Sequence, residues 1–290
     1  MSENMRAKLK WVIHGVVLII SVIFLGIVCE KASNATVMET GIPQIVCIVI
    51  TAFIVNIIKA VRMYVIMFGY EFSICKFIRF YIVTAFANIT IPFKCGELYR
   101  GYYLGDLLGS FSEGYLMVIF DRFVDTLALI SIVIGVNIFL GTDMGVVYLL
   151  LSGFLFIALT AYLLFPPLYK YWNHYLIFNR SSKNTLKALH FLEVCHKTFE
   201  KISGIANGRF VMLYIISLAA WIVEISSILI VNSDAKKNYV SEYLKKILTG
   251  ETTQYNFFFI LGSLVLFAIL AVVCLFQRRE KGKNETSSCI

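Results

Sequence analysis

The stretch ANITIPFKCGELYRGYYLG, residues 87–105, decides how the chain folds, because its polar and charged residues interrupt a sequence that is otherwise apolar. Hydrophobic residues make up 59% of the 290 residues and charged residues only 15%. A soluble globular domain has about 25% charged residues, so the composition excludes that class. The interruption is therefore either a loop between membrane helices or a polar segment held at membrane depth.

Six apolar runs outside this stretch are long enough to cross a bilayer, which takes about 20 residues as a helix. The sequence predicts an all-α, polytopic membrane protein with a single domain over residues 1–290. The first run lacks a cleavage site, so it predicts a retained helix and not a signal peptide. The predicted spans are Trp11–Cys29, Gly41–Met67, Tyr115–Leu140, Met144–Leu168, Phe210–Asn232 and Thr252–Gln277.

A seventh run, Phe77–Pro92, is too short to cross. Its uncharged part stops at the proline after about a dozen residues, which as a helix cover less than about 20 Å of a ~30 Å hydrocarbon core. The sequence therefore predicts a re-entrant or broken helical segment near residues 77–100.

The distribution of positive charge supports the same topology. Basic residues concentrate in the first ten positions, in segment 169–210 (seven basic against two acidic residues) and in the tail after residue 277. The positive-inside rule places all three in the cytoplasm, which requires that Phe77–Pro92 does not cross. We expect a multi-pass protein of the cytoplasmic (inner or plasma) membrane with both termini cytoplasmic.

Segment 169–210 is predicted to be a basic cytoplasmic loop. Its spacing also suits an amphipathic helix on anionic inner-leaflet lipids, although a simple positive-inside loop explains the charges as well. The net charge of +8 fits this leaflet, and no nucleic-acid partner is expected.

Polar residues of the interrupting stretch are the first candidates for a functional site. Pro92 ends a helix and Gly96 permits a sharp turn. Glu97 and Arg100 then lie three residues apart on neighbouring faces of a new helical turn. Asn88 and Lys94 complete the set, and a hydrated cytoplasmic loop remains the alternative.

Charged residues inside the predicted spans are the second group. Asp121, Arg122 and Asp125 lie within an apolar helix, and one carboxylate lacks a partner there, so Arg100 or Lys94 is expected to supply one. Glu224 lies in a span without a basic residue and is a site candidate by default.

Two further basic residues, Lys59 and Arg62, are expected to reach the inner interface as structural residues, because their helix ends shortly after them.

No standard catalytic or cofactor motif is present. The sequence contains no GxSxG, P-loop or HExxH pattern, and the seven Cys and four His have no metal-ligand spacing. We expect no catalytic residues, no metal, no cofactor and no enzymatic activity.

The combination of motifs resembles the lysylphosphatidylglycerol synthase transmembrane, or flippase-like, family. Residues 88–100 match its N-x-x-x-P-x-x-x-G-E-x-x-R signature, residues 121–125 match E-R-x-x-D with Asp for Glu, and residues 221–224 match W-x-x-E. The resemblance covers roughly residues 77–230.

What the resemblance implies is binding and translocation of a lipid with a phosphorylated or glycosylated headgroup, either a phospholipid or a polyprenyl-phosphate-linked glycolipid. It implies that Pro92, Gly96, Glu97 and Arg100 form the re-entrant site, faced by Arg122 and Asp125 and closed by Glu224. The alternatives are a membrane enzyme acting on polyprenyl-phosphate-linked sugars and a non-transporting scaffold for lipid or glycan synthesis.

Two departures from the family pattern lead to further expectations. The second glycine-rich segment of the family is reduced here to Gly250 and Glu251. No soluble aminoacyltransferase domain is expected, so lysylphosphatidylglycerol synthesis by this chain alone is not expected. The lipid, the direction and energy source of transport and the oligomeric state are not specified by the sequence.

Overall fold

The computed structural model describes residues 3–34, 41–70, 73–91, 95–140, 145–179, 183–231, 240, 242–244, 246 and 254–287. Within these ranges the chain is helical and contains no strand, so the predicted all-α fold is confirmed. The helices are α1 (Glu3–Asn34), α2 (Ile42–Met67), α3 (Ile74–Thr90), α4 (Gly96–Leu108), α5 (Phe111–Leu140), α6 (Gly145–Asn179), α7 (Lys183–Val231) and α8 (Gln254–Ser287).

Four helices of the described ranges are long and apolar enough to cross a membrane, in segments Ile42–Met67, Val147–Phe178, Gly208–Val231 and Tyr255–Val273. These correspond to four of the six predicted spans, and the polytopic membrane class is confirmed. The apolar part of α1 is shorter, Val12–Ile27. Helix α5 has 30 residues and is long enough to span, but it carries charged side chains in its first half.

Side-chain contacts define the two ends of the helix bundle. At one end, Lys201 of α7 lies 2.8 Å from Glu113 near the start of α5. Tyr70, just after α2, donates a hydrogen bond to the same carboxylate. At the opposite end, the Gln44 amide near the start of α2 donates to the Val231 carbonyl of α7 at 3.2 Å. We call these the Glu113 end and the Gln44 end.

Helices α3 and α4 form a hairpin that begins and finishes at the Glu113 end. Helix α3 follows Tyr70 closely, and α4 is separated from α5 only by Gly109, whose φ of +74° favours glycine, and the residue after it. Arg100, in the first half of α4, contacts Asp121, which lies ten residues and about 15 Å along α5 from Phe111. The hairpin tip therefore reaches only about a third of the ~45 Å length of α5.

Glycines hold the hairpin together and fix it to α5. A Cβ atom at Gly96 would lie 2.4 Å from the Asn88 Cα, so only glycine lets α4 begin against the end of α3. A Cβ atom at Gly114 of α5 would lie 2.3 Å from the Gly105 nitrogen and 2.6 Å from the Gly101 oxygen of α4. Backbone-to-backbone approach of this kind is typical of helix pairs in membranes.

Two apolar clusters fill the bundle. One contains Ile48, Ala128 and Ile225, towards the Gln44 end, and the other contains Met117 and Leu213, towards the Glu113 end. Along α5 and α7 the boundary between the two clusters falls at polar residues, which form the site described below. The basic segment 169–210 is helical in its described part, forming the end of α6 and the first half of α7.

Candidate functional site

The centre of the bundle holds a buried arginine, Arg62 of α2, surrounded by carboxylates. Its side chain is 2% exposed. Its Nε lies 2.8 Å from Asp121 Oδ1, its Nη1 contacts Asp125, and the same nitrogen donates to the Ser217 hydroxyl of α7 at 2.9 Å. The expectation that Arg62 reaches the interface is wrong. It points between α5 and α7 because the carboxylates there supply the partners that a buried guanidinium needs.

Arg100 of α4 and Arg122 of α5 complete the contacts of Asp121. Arg100 Nη1 lies 3.1 Å from Asp121 Oδ2, and Arg122 Nη2 lies 2.8 Å from the same oxygen. Arg122 also reaches Asp125 at 3.2 Å. Asp121 is fully buried, so its charge is balanced entirely by these guanidinium groups.

Glu97 links the hairpin to this cluster. Its carboxylate lies 3.4 Å from Arg122 Nε and 3.6 Å from Arg100 Nη1. The Asn88 amide, at the end of α3, donates to the same carboxylate at 2.8 Å. The tip of the hairpin is thus held to α5 by charge, and the close glycine contacts hold the rest of α4 to α5.

The cluster is charge-balanced within the described residues. Its three arginines come from α2, α4 and α5, and its three carboxylates come from α4 and α5. A single unpaired charge at a helix centre costs about 2.5–3.5 kcal/mol on insertion scales. Balanced contacts of this kind let six ionised groups occupy one site. We call Arg62, Glu97, Arg100, Asp121, Arg122 and Asp125 the arginine–carboxylate cluster.

Glu224 of α7 forms a second, separate ion pair. Its carboxylate lies 3.8 Å from Lys59 Nζ and accepts a hydrogen bond of 2.5 Å from the Tyr243 hydroxyl. The Lys59 ammonium also lies 5.9 Å from the centre of the Trp221 ring, in the range of a cation–π contact. Lys59 is therefore not a free interfacial lysine, and Trp221 and Glu224 of the W-x-x-E motif both contact it.

A cavity of about 110 Å³ lies beside both groups. This is well above the ~10–15 Å³ of accessible space that holds one water. Its lining in the described residues includes four cationic side chains and no carboxylate. The cationic lining residues are Lys59, Arg62, Arg100 and Arg122.

The remaining lining is neutral. Helices α2 and α3 supply polar groups, and α3 and α8 supply apolar ones: Asn56, Tyr81, Thr84, Ala85, Asn88, Ile89 and Phe259. The cavity is therefore lined by cationic side chains from α2, α4 and α5, by both polar and apolar side chains from α3, and by an apolar side chain from α8. Such a cavity is suited to an anionic group attached to an apolar chain.

Sequence comparison identifies the family of the chain. A family model described as the lysylphosphatidylglycerol synthase TM region matches residues 12–234, which is more than half of the chain. The chain belongs to the lysylphosphatidylglycerol synthase transmembrane family. The predicted family is thereby confirmed. No curated protein and no solved structure matches the chain.

Most residues of the three motifs quoted in the sequence analysis lie together in the structure. The cluster contains Glu97, Arg100, Asp121, Arg122 and Asp125, with Asn88 bonded to it and Gly96 at the hairpin contact described above. Whether they bind a headgroup stays a prediction.

Three other expectations have a different outcome. Glu224 does not join the arginine–carboxylate cluster directly but pairs with Lys59, beside the same cavity. Pro92 and Lys94 lie outside the described residues, as do Gly250 and Glu251 of the reduced second motif.

Sequence reasoning missed Arg62, Lys59 and Ser217 as parts of the site. One signal was available for Arg62, since the carboxylates of α5 outnumber its arginine and require basic partners from elsewhere. Among the described residues, no group of His, Cys, Asp and Glu side chains has the arrangement of a metal site.

Proposed function

We propose that this chain binds the phosphate of a membrane lipid in the cationic cavity and carries that lipid between the two leaflets of the cytoplasmic membrane. The observation that carries the proposal is the lining of the cavity, which has four cations and no carboxylate among the described residues. Charge-assisted hydrogen bonds from arginine to phosphate are short, strong and often bidentate.

The position of the cavity supports movement as well as binding. It lies beside the tip of the α3–α4 hairpin, and we propose that this hairpin re-enters the membrane from the Glu113 end without crossing it. Helix α3 has 17 residues, about 25 Å, and α4 has 13 residues, about 20 Å, both less than a ~30 Å hydrocarbon core. Broken helices that end at a mid-membrane cavity are a recurrent feature of transporters.

The proposed activity requires no chemical conversion of the lipid. We propose a binding and translocating protein and not an enzyme, in keeping with the membrane-protein class and lipid-related family of the chain. We also propose that the basic surface formed by the end of α6 and the first half of α7 faces the anionic cytoplasmic leaflet.

Transport in proteoliposomes tests the proposal. Purified full-length chain is reconstituted with fluorescent phosphatidylglycerol, and the accessible fraction of the label is followed with a membrane-impermeant quencher. Arg122→Gln removes a cavity cation whose side chain is 30% exposed, and we expect it to slow movement at least about tenfold, the effect of one lost charge-assisted hydrogen bond.

A matched control is Arg79→Gln. Arg79 is exposed on α3, in the same hairpin, and does not line the cavity, so its replacement should leave the rate unchanged. Equal rates for wild type, Arg122→Gln and liposomes without protein would refute the proposed transport.

A further inference from the structure

The four cations that line the cavity are not held equally tightly. The three arginines each lie 2.8–3.1 Å from the Asp121 carboxylate. Lys59 Nζ, in contrast, lies 3.8 Å from Glu224 Oε2, which is beyond hydrogen-bond distance, and the Lys59 side chain is 32% exposed. Within the described part of the chain, that carboxylate oxygen has no hydrogen-bond partner. Lys59 is therefore the cation that an anion in the cavity can draw away from its carboxylate most easily.

Among the described residues, few charged or titratable groups surround Glu224, whose side chain is 6% exposed. Lys59 faces it from α2. The Tyr243 hydroxyl, from the short described segment 242–244, donates to its Oε1 at 2.5 Å. Glu242, beside that tyrosine, has a side chain that is 55% exposed and pairs with Lys246.

The other helices packed around this ion pair add no competing cation in their described parts. On α5, Asp125 interacts electrostatically with Lys59, but two arginines of the cluster already contact it. On α8, the Tyr255 hydroxyl donates to Ser227 of α7. The described side chains of α8 and of the first half of α6 include no charged group. The charge of Glu224 is therefore balanced by Lys59 alone.

Charge balance indicates what must accompany an anionic lipid. The four cations are matched by four carboxylates, three in the arginine–carboxylate cluster and the fourth on Glu224. A bound phosphodiester adds one negative charge, and an excess charge is costly at membrane depth. Arginine does not release its proton, so the balance is restored when a carboxylate takes one up. Glu224 is the carboxylate that loses its cation when Lys59 turns to the phosphate.

Resting on the proposed function, we propose that this chain moves its anionic lipid together with one proton, which Glu224 carries. The phosphate draws Lys59 away from Glu224, and a proton from the water on the side of entry binds Glu224 Oε2. The added phosphate charge is then offset by the neutral carboxyl group, so no net charge crosses the membrane. On the other side the lipid leaves, the proton returns to water, and Lys59 pairs with Glu224 again.

The distribution of a labelled lipid between the leaflets of proteoliposomes measures the coupling. The purified full chain is reconstituted with a trace of phosphatidylglycerol that is fluorescent on one acyl chain, and dithionite reports the fraction in the outer leaflet. A pH difference of about one unit, acid outside, is imposed while potassium and valinomycin hold the membrane potential at zero. Cotransport of one proton per lipid should raise the inner-to-outer ratio of the label about tenfold, because one pH unit is a tenfold difference in proton concentration.

A membrane potential at equal pH separates cotransport from movement of the anion alone. About 100 mV should leave the ratio unchanged in the wild type, because the lipid and the proton together are neutral. An anion that moves alone would shift its ratio roughly fiftyfold under the same potential.

Glu224→Gln keeps the size of the side chain but cannot carry a proton. We expect the labelled lipid still to exchange between the leaflets of this variant, with a ratio that no longer responds to the pH difference. The matched control is Glu193→Gln, which changes an exposed carboxylate of the same helix that pairs with Lys197 at 2.7 Å. The control should respond to the pH difference as the wild type does.

Tyr243→Phe provides a second test that keeps the carboxylate of Glu224. It removes a donor that favours the ionised carboxylate, so the pH at which exchange falls to half its maximal rate should rise by about one unit. If Glu224→Gln does not fold, this variant decides, and an unchanged pH dependence would overturn the role of Glu224.

Exchange in the wild type with a leaflet ratio that ignores the pH difference would overturn proton coupling and leave lipid movement intact. A wild-type response in Glu224→Gln would overturn the assignment of the proton to this residue. Absence of any protein-dependent exchange would overturn the proposed function together with the coupling.

Discussion

Replacement of Arg62 by methionine tests whether this residue balances the charge of the arginine–carboxylate cluster. The substitution keeps much of the side-chain volume but leaves two arginines against three carboxylates, so the buried cluster acquires a net charge of about −1. Removing one partner of a buried ion pair costs about 3–5 kcal/mol, and we expect the free energy of unfolding to fall by that amount.

A second substitution restores the balance and turns the test into a double-mutant cycle. Asp125→Asn in the Arg62→Met background leaves two arginines against two carboxylates. The double variant should therefore be more stable than the sum of the two single effects predicts, by about 1–3 kcal/mol of coupling energy. Arg79→Met, on the exposed face of α3, is the matched control and should change stability by less than about 0.5 kcal/mol.

Unfolding of the purified chain by sodium dodecyl sulfate in mixed micelles, followed by circular dichroism, provides these free energies. A loss of less than about 1 kcal/mol of unfolding free energy for Arg62→Met would show that Arg62 does not balance the charge of the cluster. Strictly additive effects in the double variant would show the same.

Three further predictions concern the hairpin, the Glu113 end and the second ion pair. Gly114→Ala should lower the free energy of unfolding by about 1–3 kcal/mol in the same assay, whereas Gly135→Ala, on the same helix with open space around it, should not destabilise. Burial, and after it the nearby Glu113 carboxylate, raise the pKa of the Tyr70 hydroxyl to about 12. The contribution of the protonated hydroxyl to the free energy of unfolding is therefore complete below pH ~10 and is lost as the pH rises towards 12. Ultraviolet titration, by difference from Tyr70→Phe, should show this midpoint, and Glu113→Gln should lower it; a midpoint unchanged by that substitution contradicts the assignment. Tyr243→Phe should cost about 1.5–3 kcal/mol of unfolding free energy, since it removes a hydrogen bond to a buried carboxylate, and an unchanged stability would argue against that bond.

Much of the site could be predicted from spacing along single helices. Glu97 and Arg100 are three residues apart, as are Arg122 and Asp125, and helical geometry alone places each pair on neighbouring faces. The odd carboxylate on α5 then required a basic partner from another segment, and Arg100 supplies it.

The role of Arg62 could not be predicted in the same way. Its distance from the end of α2 indicates depth along the membrane, but depth does not indicate which face of the helix meets protein and which meets lipid. Only the packing of α2 against α5 and α7 turns Arg62 inward, towards Asp121 and Ser217. The partnership of Lys59 with Glu224 depends on the same packing, since the two residues lie on helices distant in sequence.

The hairpin illustrates a second limit of sequence reasoning. The proline and the charge bias predicted that the chain turns back after Phe77–Pro92, and the structure has a hairpin there. The sequence did not indicate how closely α4 approaches α5, because Gly101, Gly105 and Gly114 look like ordinary glycines until the two helices are placed together.

The distribution of the cluster over separate helices has a consequence for the order of events during synthesis. Arg62 and Asp121 are 59 residues apart, so the arginine leaves the ribosome before its partner. At about 5–20 residues per second the delay is about 3–12 s. During this delay the charge of Arg62 has no partner on α5, which costs at most the ~2.5–3.5 kcal/mol of an unpaired arginine at a helix centre. We therefore expect α2 to stay beside the insertion machinery until α5 has emerged, and the two helices to enter the bilayer together.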